Sequence, residues 1–106
     1  MLLMQKALAE MTGTFAMIFV GVSSIILSEK YPYLFPPIVI PIAWGTVIAL
    51  MIVVWGNTSG AHFNPAVTLA LTLAKRSPVS LLPLYWGSQL LGGLAAIVVT
   101  EVIKKL

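Results

Sequence analysis

Cysteine is absent from this chain of 106 residues, histidine occurs once, and three acidic residues stand against six Lys and Arg. Without cysteine there is no disulfide framework, thiolate metal site or redox motif, and one histidine leaves little from which to build a metal cluster. No metal and no cofactor are expected. The basic excess of +3 is too sparse for a nucleic-acid footprint, so no nucleic-acid partner is expected either. No nucleophile sits beside a base and no phosphate-cradling loop is present, which argues against an enzyme. The scarcity of charge is itself informative. Charged residues make up 8% of the chain, against about 25% in an average globular protein, too few to clothe a water-facing surface of this size.

What the chain has instead is apolar length. It is 59% hydrophobic, and positions 11–28, 38–55 and 83–100 each run 18 residues without a charge, the length at which a membrane-spanning helix becomes the default reading. The first run follows Lys6 and superficially suits a secretory signal. It is longer than the ~7–15 residues of a signal core and closes on no small-residue cleavage site, so it reads as a retained helix. The predicted helices cover about 7–28, 38–56 and 82–103. Between the first two lies Glu29-Lys30-Tyr31-Pro32-Tyr33-Leu34-Phe35-Pro36-Pro37, an interfacial loop whose tyrosines suit the headgroup level.

The stretch from Gly56 to Ser80 is too short and too polar for another full crossing, yet the ten residues from Pro65 to Ala74 carry no charge. At ~1.5 Å per residue they span ~15 Å, half of the ~30 Å hydrocarbon thickness. A half-helix over about 64–74 is predicted, with Asn64 as its cap and Pro65 at the first helical position, where a missing N–H costs nothing. Gly56 to His62 would then be irregular backbone at membrane depth, tolerated only where it is buried in protein or lines a water-filled cavity. The fold class is thus an all-α membrane protein with three transmembrane helices and one re-entrant half-helix, in a single unit over 1–106.

The segment Ser59-Gly60-Ala61-His62-Phe63-Asn64-Pro65-Ala66-Val67-Thr68 closely resembles the first Asn-Pro-Ala loop of the aquaporin family. The similarity continues in Ala9-Glu10, Gly13-Thr14-Phe15, Trp44-Gly45 and Gln89 with Gly92, and the residues through Lys75-Arg76 look like the glycerol-facilitator and nodulin-like branches. The resemblance implies a passive channel for water and small uncharged solutes such as glycerol. Family members usually hold two inverted repeats, each with three spans and a half-helix, whereas one repeat is present here. The second family loop carries an arginine three residues after its asparagine, where this chain has Val67. Asn64, Pro65 and Ala66 are the pore candidates at the midplane. By matching positions to the family's filter, Trp44, Ile52, Ala61 and Val67 are the candidates at the mouth. The resemblance further implies that Glu10 accepts hydrogen bonds from the re-entrant backbone. His62 and Gln89 are expected to brace the same loop, an intramembrane polar residue normally facing protein and not lipid.

Other residues carry blander readings. Ser88, Gly92 and Ala96, four apart, and Ala9 with Gly13 form small-residue stripes of the kind that let helices approach closely. Tyr85, Trp86 and Trp55 lie near predicted interfaces, where membrane anchoring is the default role.

With the N-terminus on one side, Lys6, Lys75 and Arg76 share that side, while Lys30, Lys104 and Lys105 fall on the other. Orientation is set by an excess of Lys and Arg on one side, and here there is none. Two oppositely inserted copies would be related by a two-fold axis in the membrane plane, the relation between inverted repeats. An antiparallel homodimer, or a higher oligomer of such dimers in the cell membrane, would therefore rebuild a six-span, two-loop pore. The alternatives are a non-conducting first half of a conventional channel and a small proton-coupled carrier. Balanced charge and an opening methionine favour the homodimer over the fragment, and the half-helix disfavours the carrier.

Overall fold

The computed structural model describes residues 2–106. Four helices make up the fold: α1 (Leu3–Lys30), α2 (Val39–Ser59), α3 (Pro65–Leu73) and α4 (Leu82–Lys104), the last entered through a 3₁₀ turn at Val79–Leu81. Helices α1, α2 and α4, the last counted with its entering turn, are long and apolar enough to cross a membrane. At ~1.5 Å per residue, α1 alone is about 42 Å long, matching the ~40–45 Å of a bilayer with its headgroups.

The ends of these helices have local causes. Tyr31 precedes Pro32, which disfavours helical backbone at the tyrosine, and α1 stops there with Tyr31 at φ −132°. It begins at Leu3, four residues before the sequence expectation, because Gln5 accepts a hydrogen bond from the Leu2 N–H at 3.2 Å and supports the first turn. The largest difference lies in α2. Gly56 to Ser59 was expected to be irregular, but α2 continues through Ser59 and closes on Gly60, which takes the left-handed conformation (φ 88°) with its N–H on the Gly56 carbonyl at 3.0 Å. Irregular backbone at membrane depth is confined to Gly60–Asn64, and the half-helix itself is α3, Pro65–Leu73.

α1 is the central element, packed against α2 on one side and α4 on the other. In lipid there is no hydrophobic drive between helices, so close packing of small residues does the holding. A Cβ at Gly92 would collide with the Met11 carbonyl oxygen of α1, one at Gly21 with the Trp44 indole of α2, and one at Gly13 with the Phe63 ring. The buried face of α4 is Tyr85, Ser88, Gln89, Gly92, Ala96 and Thr100, recurring every three or four residues with Ser88 and Gln89 as an adjacent pair, while Leu90, Leu94 and Val98 point outward. α2 is the least covered span, with only Val47 and Ser59 buried.

Candidate functional site: a braced re-entrant loop

The loop Gly60–Asn64 joins the end of α2 to the start of α3 in a backbone that local preference would not select. Besides Gly60, Ala61 (φ 54°) and Phe63 (φ 55°) are in the left-handed region. Such residues cost of order 1–3 kcal/mol each and persist only when their surroundings over-determine them.

Glu10 supplies most of that determination. It lies two turns into α1 and is fully buried, and its carboxylate accepts four hydrogen bonds. Oε2 accepts from Ser59 Oγ at 2.6 Å and from the His62 N–H at 3.0 Å; Oε1 accepts from the Phe63 N–H at 2.8 Å and from Gln89 Nε2 at 2.8 Å. Two orphan amides of the loop and one side chain from each flanking span thus converge on one group. Hydrogen bonds to an ionised acceptor are about twice as strong as neutral ones.

A second tier holds the half-helix. Thr68, fully buried on α3, accepts from Gln89 Nε2 at 2.9 Å and lies 2.9 Å from His62 Nδ1. Gln89 therefore uses both amide hydrogens, one on Glu10 and one on Thr68, and this fixes its orientation. Its Oε1 and the Thr14 Oγ1 are buried without a hydrogen-bond partner among the described residues. The His62 ring leans on the Tyr85 ring with centroids 4.8 Å apart. Tyr85, read from sequence as a membrane anchor, is instead buried, and its hydroxyl donates to the Ser59 carbonyl at 2.6 Å. That carbonyl belongs to the last turn of α2 and has no helical partner of its own.

The other face of the loop is open. Asn64 caps α3, its Oδ1 accepting from the Ala66 N–H at 2.8 Å, and its Nδ2 has no partner among the described residues. Asn64, Pro65, Ala66 and Val67 are all exposed in the single chain. At nine residues, α3 reaches only about 14 Å, so its N-terminus, with a partial positive charge of about +0.5, ends inside the hydrocarbon thickness.

The sequence that builds this layout resembles one family from end to end. The major intrinsic protein model matches residues 1–106. The chain belongs to the major intrinsic protein family. Among its relatives, "Aquaporin NIP3-1" of Arabidopsis thaliana is 42% identical over 102 residues, covering 93% of this chain and 31% of its own length. "Nodulin-26" of Glycine max is 40% identical, covering 88% of this chain and 34% of its own. "Aquaporin Z" of Brucella melitensis is 40% identical, covering 95% of this chain and 45% of its own. The chain spans about a third to less than half of the length of these curated relatives. Family membership with three apolar spans makes it an integral multi-pass membrane protein.

Within this major intrinsic protein repeat, the ten residues singled out by sequence separate into three groups. Glu10, His62 and Gln89 meet beneath the loop. Asn64, Pro65, Ala66 and Val67 share the open side of the half-helix N-terminus, next to Ala61. Trp44 and Ile52 stand apart along α2, with Trp44 packed over Gly21. Trp44 precedes the end of α2 by fifteen residues, about 22 Å of helix, and precedes Ile52 by eight, about 12 Å, so one chain cannot bring Trp44 level with Ala61 and Val67. Sequence reasoning missed Ser59, Thr68 and Tyr85 as braces. For Thr68 a signal existed: it is a hydroxyl inside the otherwise apolar run from Pro65 to Leu71, and the structure buries it fully.

Proposed function

We propose that this chain is one half of a membrane pore for water and small uncharged solutes such as glycerol, completed by a second copy inserted in the opposite orientation. The observation that carries this reading is the two-sidedness of the Asn64 cap. Its oxygen holds the helix, while its Nδ2 and the neighbouring Pro65, Ala66 and Val67 remain uncovered at mid-membrane depth, where an unsatisfied donor is costly. A second half-helix meeting the first head to head would cover the apolar part and leave a donor pair facing the passage. Two helix ends of about +0.5 charge each then oppose a cation by about 3 kcal/mol at ~5 Å and an effective dielectric of ~20, in addition to its dehydration. Oxygen atoms of water and alcohols, in contrast, accept hydrogen bonds from the Asn64 amides.

In such a dimer, Trp44 of one copy would face Ile52, Ala61 and Val67 of the other. No guanidinium stands there, and an indole face suits the carbon backbone of a polyol. The relatives' names add support: two are called aquaporins, and their length leaves room for two such repeats. That length also supports a second reading, in which the same fold supplies the first half of a longer two-repeat pore. The carrier reading has no comparable support, because Glu10 is sealed from solvent and its oxygens are occupied by the loop.

One experiment separates these readings. The chain is reconstituted in proteoliposomes, the accessibility of a C-terminal tag is scored from both faces, and stopped-flow swelling is followed in water and glycerol gradients. The dimer requires comparable tag signal on both faces together with water and glycerol flux. A single orientation without flux selects the half-pore, and water flux without any glycerol flux refutes the assignment of the mouth.

A further inference from the structure

Glu10 holds the middle of the re-entrant loop, and its flanks are held by two consecutive residues of α4. Tyr85 donates from its hydroxyl to the Ser59 carbonyl at 2.6 Å, on the α2 side. Trp86 donates from Nε1 to the Pro65 carbonyl at 3.0 Å, on the α3 side. Adjacent helical residues diverge by about 100°, and the two side chains take correspondingly different environments: Tyr85 is 1% exposed and Trp86 is 36% exposed. The last residue of α2 and the first of α3 are thereby tied to one turn of a third helix.

We propose that Tyr85 and Trp86 are positioning residues that set the angle of the half-helix against α2, and through it the aperture of the mouth that Ala61 and Val67 would line. Glu10 cannot do this alone. Its four bonds end on Ser59, His62, Phe63 and Gln89, none of which belongs to α3. Thr68 ties α3 to Gln89 and to His62 three residues beyond its first position, but both contacts meet at one hydroxyl, which leaves rotation about that point open. The Trp86 bond to Pro65 closes it, acting at the helix end that carries Asn64. The Tyr85 bond keeps the α2 end from moving with it. A hydroxyl and an indole N–H are single donors with one direction each, so each bond is lost on replacement by phenylalanine while ring bulk is largely retained.

The consequence for solute discrimination rests on the pore reading; the consequence for the loop does not. The test uses Tyr85→Phe and Trp86→Phe, each measured twice. Amide hydrogen exchange over Thr58–Thr68 in nanodiscs reports loop opening. Proteoliposome swelling reports the ratio of glycerol to water permeability. Removing one such hydrogen bond, worth about 1 kcal/mol, should raise exchange about fivefold in this loop, with other segments unchanged. Trp86→Phe should also move the glycerol-to-water ratio at least twofold, and a ratio unchanged beside faster loop exchange would show that the clamp stabilises the loop without setting the aperture, overturning the proposal. Loop exchange unchanged in both variants overturns it outright. If the unmodified chain passes neither solute, the pore reading fails, and the exchange data alone decide whether the clamp exists.

Discussion

Glu10→Gln is the most direct probe of the loop, because it keeps shape and volume while removing one acceptor. The carboxylate meets four donors, two on each oxygen. An amide must turn its NH₂ toward one pair. If it faces the Oε2 partners, the Ser59 hydroxyl can adapt by rotating, but the His62 N–H is left opposite a donor. If it faces the Oε1 partners, Gln89 can flip its amide, but the Phe63 N–H is stranded. Either way one buried backbone N–H loses its acceptor, at about 1–3 kcal/mol, and the remaining bonds weaken from charge-assisted to neutral. Relief of the carboxylate's desolvation offsets part of this. A net loss of about 2–4 kcal/mol remains, which corresponds to a rise of roughly thirty- to several-hundred-fold in the exchange of the His62 and Phe63 amides. The assay is hydrogen exchange by mass spectrometry in nanodiscs, with the peptide ending in α4 as internal control. Exchange at these two amides within threefold of the unmodified protein would refute the claim that Glu10 holds the loop.

Four further outcomes follow from the same geometry. Gly92→Ala places a Cβ against the Met11 carbonyl, which belongs to backbone and cannot rotate away, so α1 and α4 must separate; the variant should lose at least 2 kcal/mol in reversible denaturation from mixed micelles. Thr14→Val removes a buried hydroxyl that has no hydrogen-bond partner among the described residues, so stability should stay level or rise by up to about 1 kcal/mol, and a clear loss would reveal a hydrogen bond to Thr14. Lys75, at φ 62°, closes α3 in the conformation glycine prefers; Lys75→Gly should stabilise by about 1 kcal/mol and, by leaving two basic residues against three, bias tagged chains toward one orientation. Asn64→Asp retains the cap but replaces the free amide with a carboxylate, so reconstituted vesicles should acquire a cation leak, measured by dye quenching, and unchanged tightness would place Asn64 off the pathway.

The spans were legible because charge-free length is a property of composition, and the half-helix because Asn-Pro before a short apolar run is a local capping signal. The expectation that Gly56 to Ser59 would be irregular misjudged where α2 stops. Those four residues are polar or small, which resembles a loop, yet a helix ending inside protein can satisfy its last carbonyls through side chains. Tyr85 does so for Ser59. The same contact explains why Tyr85 was misread: a tyrosine near the end of a span sits by default at the headgroups, and only the fold shows that the loop folds back beneath it. Glu10 was identified through family resemblance and not through periodicity, since nothing local in α1 distinguishes a buried carboxylate from one at the interface.

What no local rule could supply is the conformation of the loop itself. Ala61 and Phe63 carry no propensity for the left-handed region, and together they store about 2–6 kcal/mol of backbone strain. That figure is of the same order as the loss expected on Glu10→Gln, which removes only part of the brace, so the strain is large enough to need several bonds to offset it. The balance accounts for the density of bonding beneath a loop of five residues: Glu10 from α1, Ser59 from α2, Thr68 from α3, and Tyr85 and Gln89 from α4 all converge there. It also predicts where tolerance lies. Ala61→Gly, which relieves strain without touching a brace, should slow loop exchange in the unmodified background and restore part of the protection lost in Glu10→Gln. Partial restoration would show that the two effects oppose each other at the same backbone, and its absence would mean that the left-handed geometry of Ala61 carries no cost for the brace to offset.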